Sequence, residues 1–442
     1  MTPVARNLER FADLHPSLDG PAAVVEANRC LYCFDAPCTG ACPTHIDVPR
    51  FIKKISSGNL RGAARTILEA NILGLSCSRV CPVEVLCEGS CVLHKQNRKP
   101  IEIGRLQRYA LEHGAVKAAD LPRRRANHSS GVACIGGGPA SLACAAELRL
   151  RGCPVTVFDN RSMPGGLNTY GVAEYKLRFM DALREVEMIR ALGVEFRQAS
   201  VGDGVSIEDL ESGYALIFLG LGLGSMERLG IPGEELSGVI DALRFIERYK
   251  TTHDFEIGGH RVAVIGGGNT AIDAANAARR LGAEEVHVFY RRTEFEMPAF
   301  RSEYERSKVE GVRFHWLAQP IEIVGREGRA AAVKFARTEL GEPDATGRRR
   351  VVPLAGQDFE FACDLVIPAV GQSRLTGILH ATREIGLEDG AIVVDRPTGR
   401  TANPKYYAGG DCVNGGREVV DAVADGKRAA LAMAAQLEAH HG

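Results

Sequence analysis

Apolar positions recur at helical spacing through the first 125 or so residues, as in Val48–Ser56 and residues 60–71, and strand-like runs are scarce there. This predicts an all-helical leading domain. A basic triplet, Arg123-Arg124-Arg125, followed by Asn-His-Ser-Ser-Gly, reads as a linker with a solvated surface run. From Gly131 the pattern changes to alternating strand and helix. A short apolar strand over 132–135 leads through a glycine turn into an alanine-rich helix ending near Arg151, then a strand over 155–158. The same unit returns as a strand over 262–265, a glycine turn, a helix to Leu281 and a strand over 286–290. Two such units predict two nucleotide-binding folds. Residues 320–361 read as short strands and turns, a small antiparallel insert. Residues 406–437 read as a strand, a glycine-rich loop and a long alanine-rich helix. The expected fold class is α/β: an all-helical domain over 1–130, a discontinuous Rossmann-like fold over 131–255 and 362–442, and a second Rossmann-like fold over 256–361.

The length of 442 residues suits several domains rather than one core. A formal net charge of -1 gives no sign of a nucleic-acid surface. No apolar run reaches the roughly 18–20 residues that span a bilayer, and residues 1–16 hold no apolar leader core. The expectation is therefore a cytoplasmic protein.

That compartment keeps thiols reduced, so thirteen cysteines need another reason. Eight of them fall between Cys30 and Cys91. The first set is Cys30-x2-Cys33-x4-Cys38-x3-Cys42-Pro43, and the second is Cys77-x3-Cys81-Pro82-x4-Cys87-x3-Cys91. Two to five residues between thiolates lets one loop wrap a metal centre, and proline directly after cysteine is a feature of bacterial ferredoxin runs. Structural zinc favours two short pairs instead of this graded series. Two 4Fe–4S clusters are the expectation. Spacing alone assigns four cysteines to each cluster and leaves open whether the sets interleave. The other five cysteines read as small core residues.

Each dinucleotide unit carries its own chemistry. In the first, Gly136 permits the tight turn and Gly138 lets backbone approach a pyrophosphate at the helix start, Pro139-Ala140. Asp159 closes the next strand where a carboxylate accepts ribose hydroxyls. Gly165-Gly166-Leu167 forms a second turn where backbone can approach a flavin. Near the end, Gly410-Asp411, ahead of a helix from about Val419, suits the flavin's ribityl-phosphate arm, or a plain helix cap. These residues are the expected FAD site. The second unit is Gly266-Gly267-Gly268-Asn269-Thr270, and its following strand ends in Arg291-Arg292 with no carboxylate. Arginines there can grip a 2′-phosphate, which favours NADPH and leaves NADH open. No Cys-x-x-Cys lies beside the flavin unit, so electrons have only the clusters to go to.

The order of cysteine sets, GGGPAS, PGGL, GGGNTAID, YRR and AGGDC resembles the glutamate synthase small-subunit superfamily over nearly the whole chain. Within it, Ile101-Glu102-Ile103-Gly104-Arg105-Leu106-Gln107 is similar to the flavin and iron–sulfur subunits of bacterial dihydropyrimidine dehydrogenases, where a glutamine at this place is a cluster ligand. The resemblance implies one cluster on Cys30, Cys33, Cys38 and Cys91, and another on Cys42, Cys81, Cys87 and Gln107, with Cys77 left free. It implies that Lys176, Val201, Gly410, Asp411 and Val419 touch FAD, and that Ala369, Val370 and Gly371 line the nicotinamide pocket. Residues 171–175 lack the proline usual in the family, and Lys176 stands where arginine is frequent.

The expected activity is hydride transfer from NAD(P)H to FAD, then single-electron transfer through two clusters. No side chain need act as acid or base. Nothing in the chain reads as an FMN-bearing barrel, so the resemblance implies a partner subunit of that kind reducing uracil or thymine. A glutamate synthase small subunit, or a related NADPH-dependent flavoprotein, is the alternative. A zinc-stabilised binding protein is the non-enzymatic one.

Overall fold

The computed structural model describes residues 10–123, 131–252, 255–344, 347–375, 377, 382 and 384–439. Most of the expected linker, residues 124–130, and the first nine residues of the chain lie outside these. The chain divides into two compact units. Of the described residues, one takes in those within 13–169, 176–223 and 374–439, and the other those within 10–12, 170–175 and 224–373.

In the first unit the leading domain is helical. Helix Val48–Ser56 starts on Asp47, whose side chain accepts from Arg50 N, and it buries Val48, Phe51, Ile52 and Ile55 on one face. Helix Leu60–Ala70 starts on Asn59 in the same way and buries Ala63, Ala64, Ile67 and Leu68. Val48, Phe51, Ile52, Ile55, Ala63 and Ile67 make one apolar core with Leu93, Ile101, Ile103 and Leu106. Helices Gly74–Val80 and Ile103–His113 complete the frame around the cysteines.

The strands, in chain order, are β1 (Val132–Ile135), β2 (Val155–Asp159), β3 (Glu195–Gln198), β4 (Leu216–Leu219), β5 (Arg261–Ile265), β6 (Glu285–Tyr290), β7 (Arg313–Trp316), β8 (Ala318–Arg326), β9 (Arg329–Pro343), β10 (Arg349–Ala362), β11 (Leu365–Pro368), β12 (Leu387–Glu388), β13 (Ala391–Ile392) and β14 (Tyr406–Ala408). The first unit holds a parallel sheet in the order β14-β4-β1-β2-β3. Its central strands are apolar throughout, as a sheet covered on both faces requires. Helices Pro139–Leu150 and Val419–Ala439 cover it, and Leu68, Ile72 and Leu73 of the helical domain enter the same core. The second unit holds a parallel sheet in the order β11-β5-β6-β7 and an antiparallel sheet in the order β10-β9-β8.

The helical, Rossmann-like and antiparallel elements fall where the periodicity puts them, within one to three residues. The boundary between the two nucleotide folds does not. Residues from 362 were expected in the first fold, but β11 pairs with β5 in the second sheet. Residues 224–252, also expected in the first, belong to the second unit. Parallel partners are joined by long crossovers, so sequence neighbours need not share a sheet. No helix among the described residues is long and apolar enough to cross a membrane.

Candidate functional site

The thiols sort into two groups that interleave along the chain. Cys30, Cys33, Cys38 and Cys91 line one apolar cavity, walled by Val48, Ile52, Leu93, Ile101 and Ile103. Burial, with the neighbouring Cys30 and Cys91, pushes the Cys38 thiol up to about 12, and burial likewise raises Cys30, beside Cys33 and Cys91. In the other group, a hydrogen bond with Cys77, then burial and the nearby Cys87 and Cys42, raise Cys81 well above the usual thiol range. Burial, Glu88 and Cys42 raise Cys87. Spacing left open whether the sets interleave; here Cys91 lies with the first three thiols, and Cys42 bears on Cys81 and Cys87. Four thiols crowded in apolar surroundings resist ionising together, and a cationic iron–sulfide core supplies the missing countercharge. The donor sets therefore fit iron–sulfur clusters.

Gln107 is buried on helix Ile103–His113, and its Nε2 donates to Gly74 O at 2.7 Å, at the start of the helix that carries Cys77. The same helix meets the loop after Cys81 through Gly104 N, which donates to Glu88 Oε1 at 3.0 Å. Asn71 Nδ2 donates to Cys77 Sγ at 3.2 Å.

In the first nucleotide fold Gly136 has φ +92°, and a β-carbon there would fall on the Gly220 carbonyl oxygen. Gly137 N donates to Asp159 Oδ2, and Arg161 N donates to Asp159 Oδ1 at 2.7 Å. Burial raises the Asp159 carboxyl above its ordinary value, against the lowering by these two N–H groups and the Arg161 charge. Gly165 N donates to Gly137 O at 2.7 Å, and a β-carbon on Gly166 would lie 2.8 Å from the Gly138 Cα. The two glycine turns therefore pack backbone to backbone at the start of helix Pro139–Leu150. Gly410, with φ +77°, closes on Ala140 from the other side, and its N–H donates to Asp425 Oδ2 at 3.0 Å. Asp411 accepts from Arg417 N at 3.2 Å, just ahead of the helix that Val419 opens. Leu167 opens a short helical turn after Gly166. Val201 lies two residues past Ala199, whose N–H donates to Asp159 O at 2.8 Å. Lys176 is buried, and its carbonyl accepts from Arg79 Nε at 3.0 Å.

In the second fold Gly266 has φ +146°, and a β-carbon there would fall on the Ala369 carbonyl oxygen. Gly267 faces the Tyr290 ring, 2.7 Å from where its β-carbon would be. Gly268 precedes helix Asn269–Arg280, and Asn269 Oδ1 accepts from Phe300 N at 3.0 Å. Thr270 is the second residue of that helix. Ala369, Val370 and Gly371 leave β11 beside the Gly266 turn, and Ala369 N donates to Ile265 O at 2.7 Å. The expected arginine pair divides. Arg292 Nε donates to Arg349 O at 3.2 Å, whereas Arg291 is exposed and its guanidinium has no partner among the described residues.

Sequence reading missed Asp425, which holds the Gly410 backbone, and Glu185, which sits on the buried face of helix Phe179–Ala191 with Ala182, Val186 and Ile189. A carboxylate at i, i+3, i+4 spacing among apolar residues was the available signal for Glu185.

With this geometry in place, the family described as pyridine nucleotide-disulphide oxidoreductase matches residues 130–426. The chain belongs to that family. The pyridine nucleotide-disulphide oxidoreductase fold is preceded here by a match, over residues 7–118, to the family described as dihydropyrimidine dehydrogenase domain II, 4Fe–4S cluster. The glutamate synthase (NADPH) small chain of Escherichia coli K12 is 36% identical over 439 residues, 95% of this chain and 92% of that one. The NADP(+)-dependent formate dehydrogenase subunit beta of Moorella thermoacetica is 36% identical over 90% of this chain, which spans only 59% of that longer relative. Among solved structures, Mycobacterium tuberculosis FprA in complex with NADPH shares the fold, with TM-score 0.58 and 20% identity over 70% of this chain and 85% of that chain. The protein is an oxidoreductase whose cofactors are FAD, a nicotinamide dinucleotide and 4Fe–4S clusters.

Proposed function

We propose that this chain is the electron-input subunit of a hetero-oligomeric dihydropyrimidine dehydrogenase. Its partner would be an FMN-bearing barrel subunit that reduces uracil or thymine to the 5,6-dihydro form. The observation that carries this reading is Gln107. Its amide nitrogen is tied to Gly74 O, which turns Oε1 away, and no hydrogen bond reaches that oxygen among the described residues. A neutral carbonyl oxygen is what the glutamine ligand of this enzyme class supplies. The ligand sets are Cys30, Cys33, Cys38 and Cys91 for one cluster, and Cys42, Cys81, Cys87 and Gln107 for the other. Cys77 lies against Cys81 and keeps its bond from Asn71.

The chain's residues bind and orient and need no acid or base. Gly136, Gly138, Pro139 and Ala140 present backbone to the FAD pyrophosphate, and Asp159 accepts from its ribose. Gly165, Gly166, Leu167, Lys176, Val201, Gly410, Asp411 and Val419 surround the rest of it. Gly266, Gly267, Gly268, Asn269 and Thr270 receive the NADPH pyrophosphate, Arg291 its 2′-phosphate with Arg292 beside it, and Ala369, Val370 and Gly371 the nicotinamide side. The flavin supplies the change from a two-electron donor to one-electron acceptors. Proximity and orientation are what the protein must add.

A glutamate synthase small subunit is the second reading, favoured by the 36% identity to the Escherichia coli small chain over 92% of that chain. Anaerobic co-purification with the neighbouring gene product, followed by substrate-dependent NADPH oxidation, separates them. Uracil-dependent oxidation is expected. Oxidation that needs glutamine and 2-oxoglutarate, with a glutaminase-bearing partner, would overturn the assignment. Gln107→Ala is expected to alter the paramagnetic signal of one cluster while Cys77→Ala leaves both unchanged; the reverse pattern would move the fourth ligand to Cys77.

A further inference from the structure

We propose that the face around Phe34 is the port through which electrons leave this chain, and that it receives an acidic surface of the partner with a one-electron carrier beneath it. The inference rests on the electron-input reading above and adds the place and the charge of the contact.

The two thiol groups face different surroundings. The Cys77–Cys81 segment is held to the FAD fold: Glu185 accepts from Leu75 N at 2.8 Å and from Ser76 N, and Arg79 donates to Lys176 O and pairs with Asp181 at 3.1 Å. The segments that carry Cys30, Cys33 and Cys38 show no such bond to the FAD fold among the described residues, and these three thiols are partly exposed, as are Cys42, Cys81 and Cys87. Cys30, Cys38, Cys42 and Cys87 pack against one apolar core, so the groups adjoin. The Cys81 group is the one tied to the flavin fold, and the Cys30 group beside it is flanked by the exposed residues Leu31 and Phe34.

At that outer edge the chain exposes what a lone protein hides. Phe34 is 108% exposed and Leu31 52%, each next to a thiol of the group. Scattered exposed apolar residues need no explanation, but a fully exposed phenylalanine flanking a redox centre does. The rim is basic. Arg29 donates to Lys99 O and Pro100 O, which draws the exposed run His94, Lys95, Arg98 and Lys99 against residues 29–34. Lys99 pairs with Glu102, and Glu26 with Arg29, while Lys95 and Arg98 have no ion pair among the described residues. Lys53 rests over the Tyr32 ring at 4.7 Å on the opposite side. An apolar centre with two unpaired cations, Lys95 and Arg98, on its rim matches the anatomy of a transient interface and favours an acidic partner.

The test uses the intact holoprotein with a small acidic 2Fe–2S ferredoxin as probe and cytochrome c as terminal sink. Each NADPH releases two electrons and a proton and reduces two ferredoxins by one electron each. We expect ferredoxin reduction that weakens as salt rises from about 20 to about 300 mM. It falls about tenfold or more in Lys95→Glu/Arg98→Glu and in Phe34→Ser. NADPH–ferricyanide activity, iron content and NADPH-dependent bleaching of the clusters should stay at the wild-type level in both variants. Ferredoxin reduction that is salt-insensitive or absent in the wild type, or unchanged in the variants, overturns the port. So does a wild-type dimer that Phe34→Ser converts to a monomer, because a second copy would then cover the face. Clusters that NADPH cannot bleach in the wild type would sink the electron-input reading instead.

Discussion

The two nucleotide folds share one backbone solution and part company at the end of their second strand. Gly136 and Gly266 both hold positive φ, +92° and +146°, and each backs onto a carbonyl where no β-carbon fits, Gly220 in one and Ala369 in the other. The next glycine faces the end of the neighbouring strand. There the first fold sets Asp159, which takes hydrogens from Gly137 and Arg161, and the second sets the Tyr290 ring. Charge in the second fold arrives one residue later, on Arg291, whose guanidinium has no partner among the described residues. The pyrophosphate is common to every dinucleotide and can be met by backbone alone. The ribose end differs, and only side chains can tell the difference.

The comparison breaks most visibly at the first glycine. Gly266→Ala forces a left-handed-region backbone on alanine and drives its methyl onto Ala369 O. NADPH-dependent ferricyanide reduction should fall about 100-fold, combining backbone strain of order 1–3 kcal/mol with the clash. Flavin absorbance and iron content should be kept. Gly136→Ala should do the converse and yield protein poor in flavin. Loss of flavin in both variants would show that the folds do not act separately.

At the strand ends the effect is smaller and chemically specific. Arg291→Glu should raise the KM for NADPH by about 10–100-fold and leave NADH nearly unchanged, because a charge-assisted pair is replaced by repulsion. Equal loss for both nucleotides would remove Arg291 from the 2′-phosphate. If Asp159 accepts from the FAD ribose as proposed, Asp159→Asn should weaken FAD retention by about tenfold without altering the NADPH/NADH ratio.

Much of this was legible in the sequence. Asp47 and Asn59 mark helix starts, and the apolar spacing after them marks the buried faces. Strand, glycine turn and helix identify both nucleotide folds. Three-dimensional return was not legible. Cys91 joins Cys30 because helical packing and Arg29, bonded to the Lys99 and Pro100 carbonyls, bring residues 91–100 back to residue 30. Thiol spacing along the chain contains no trace of that. Leu365–Pro368 joins Arg261–Ile265 through a parallel pairing that spans the antiparallel insert, for the same reason. Asp425 is seven residues into a helix and reads as surface until Gly410 is seen against it.

The folds also differ in what leans on them, and the smallest predicted effect lies there. The first fold carries the helical domain, and Glu185 is buried at that contact. It accepts from Leu75 N, Ser76 N and the Ser76 hydroxyl. Burial pushes its carboxyl up to about 7 in spite of those donors, with nearby Asp181 adding to the rise. A folded-state value raised above the ordinary 4.5 means stability that is complete below 4.5 and lost as pH climbs through about 7. The flavin-bearing unit should therefore unfold at lower urea as pH goes from about 6 to about 8. Glu185→Gln keeps an acceptor for the two backbone N–H groups and cannot ionise. It should flatten that slope while costing about 1 kcal/mol or less at low pH. Urea midpoints read by flavin release across the range decide it. A variant as pH-sensitive as the wild type would mean that some other group sets the slope, and that Glu185 already shares its proton with Ser76 at no cost to the domain contact.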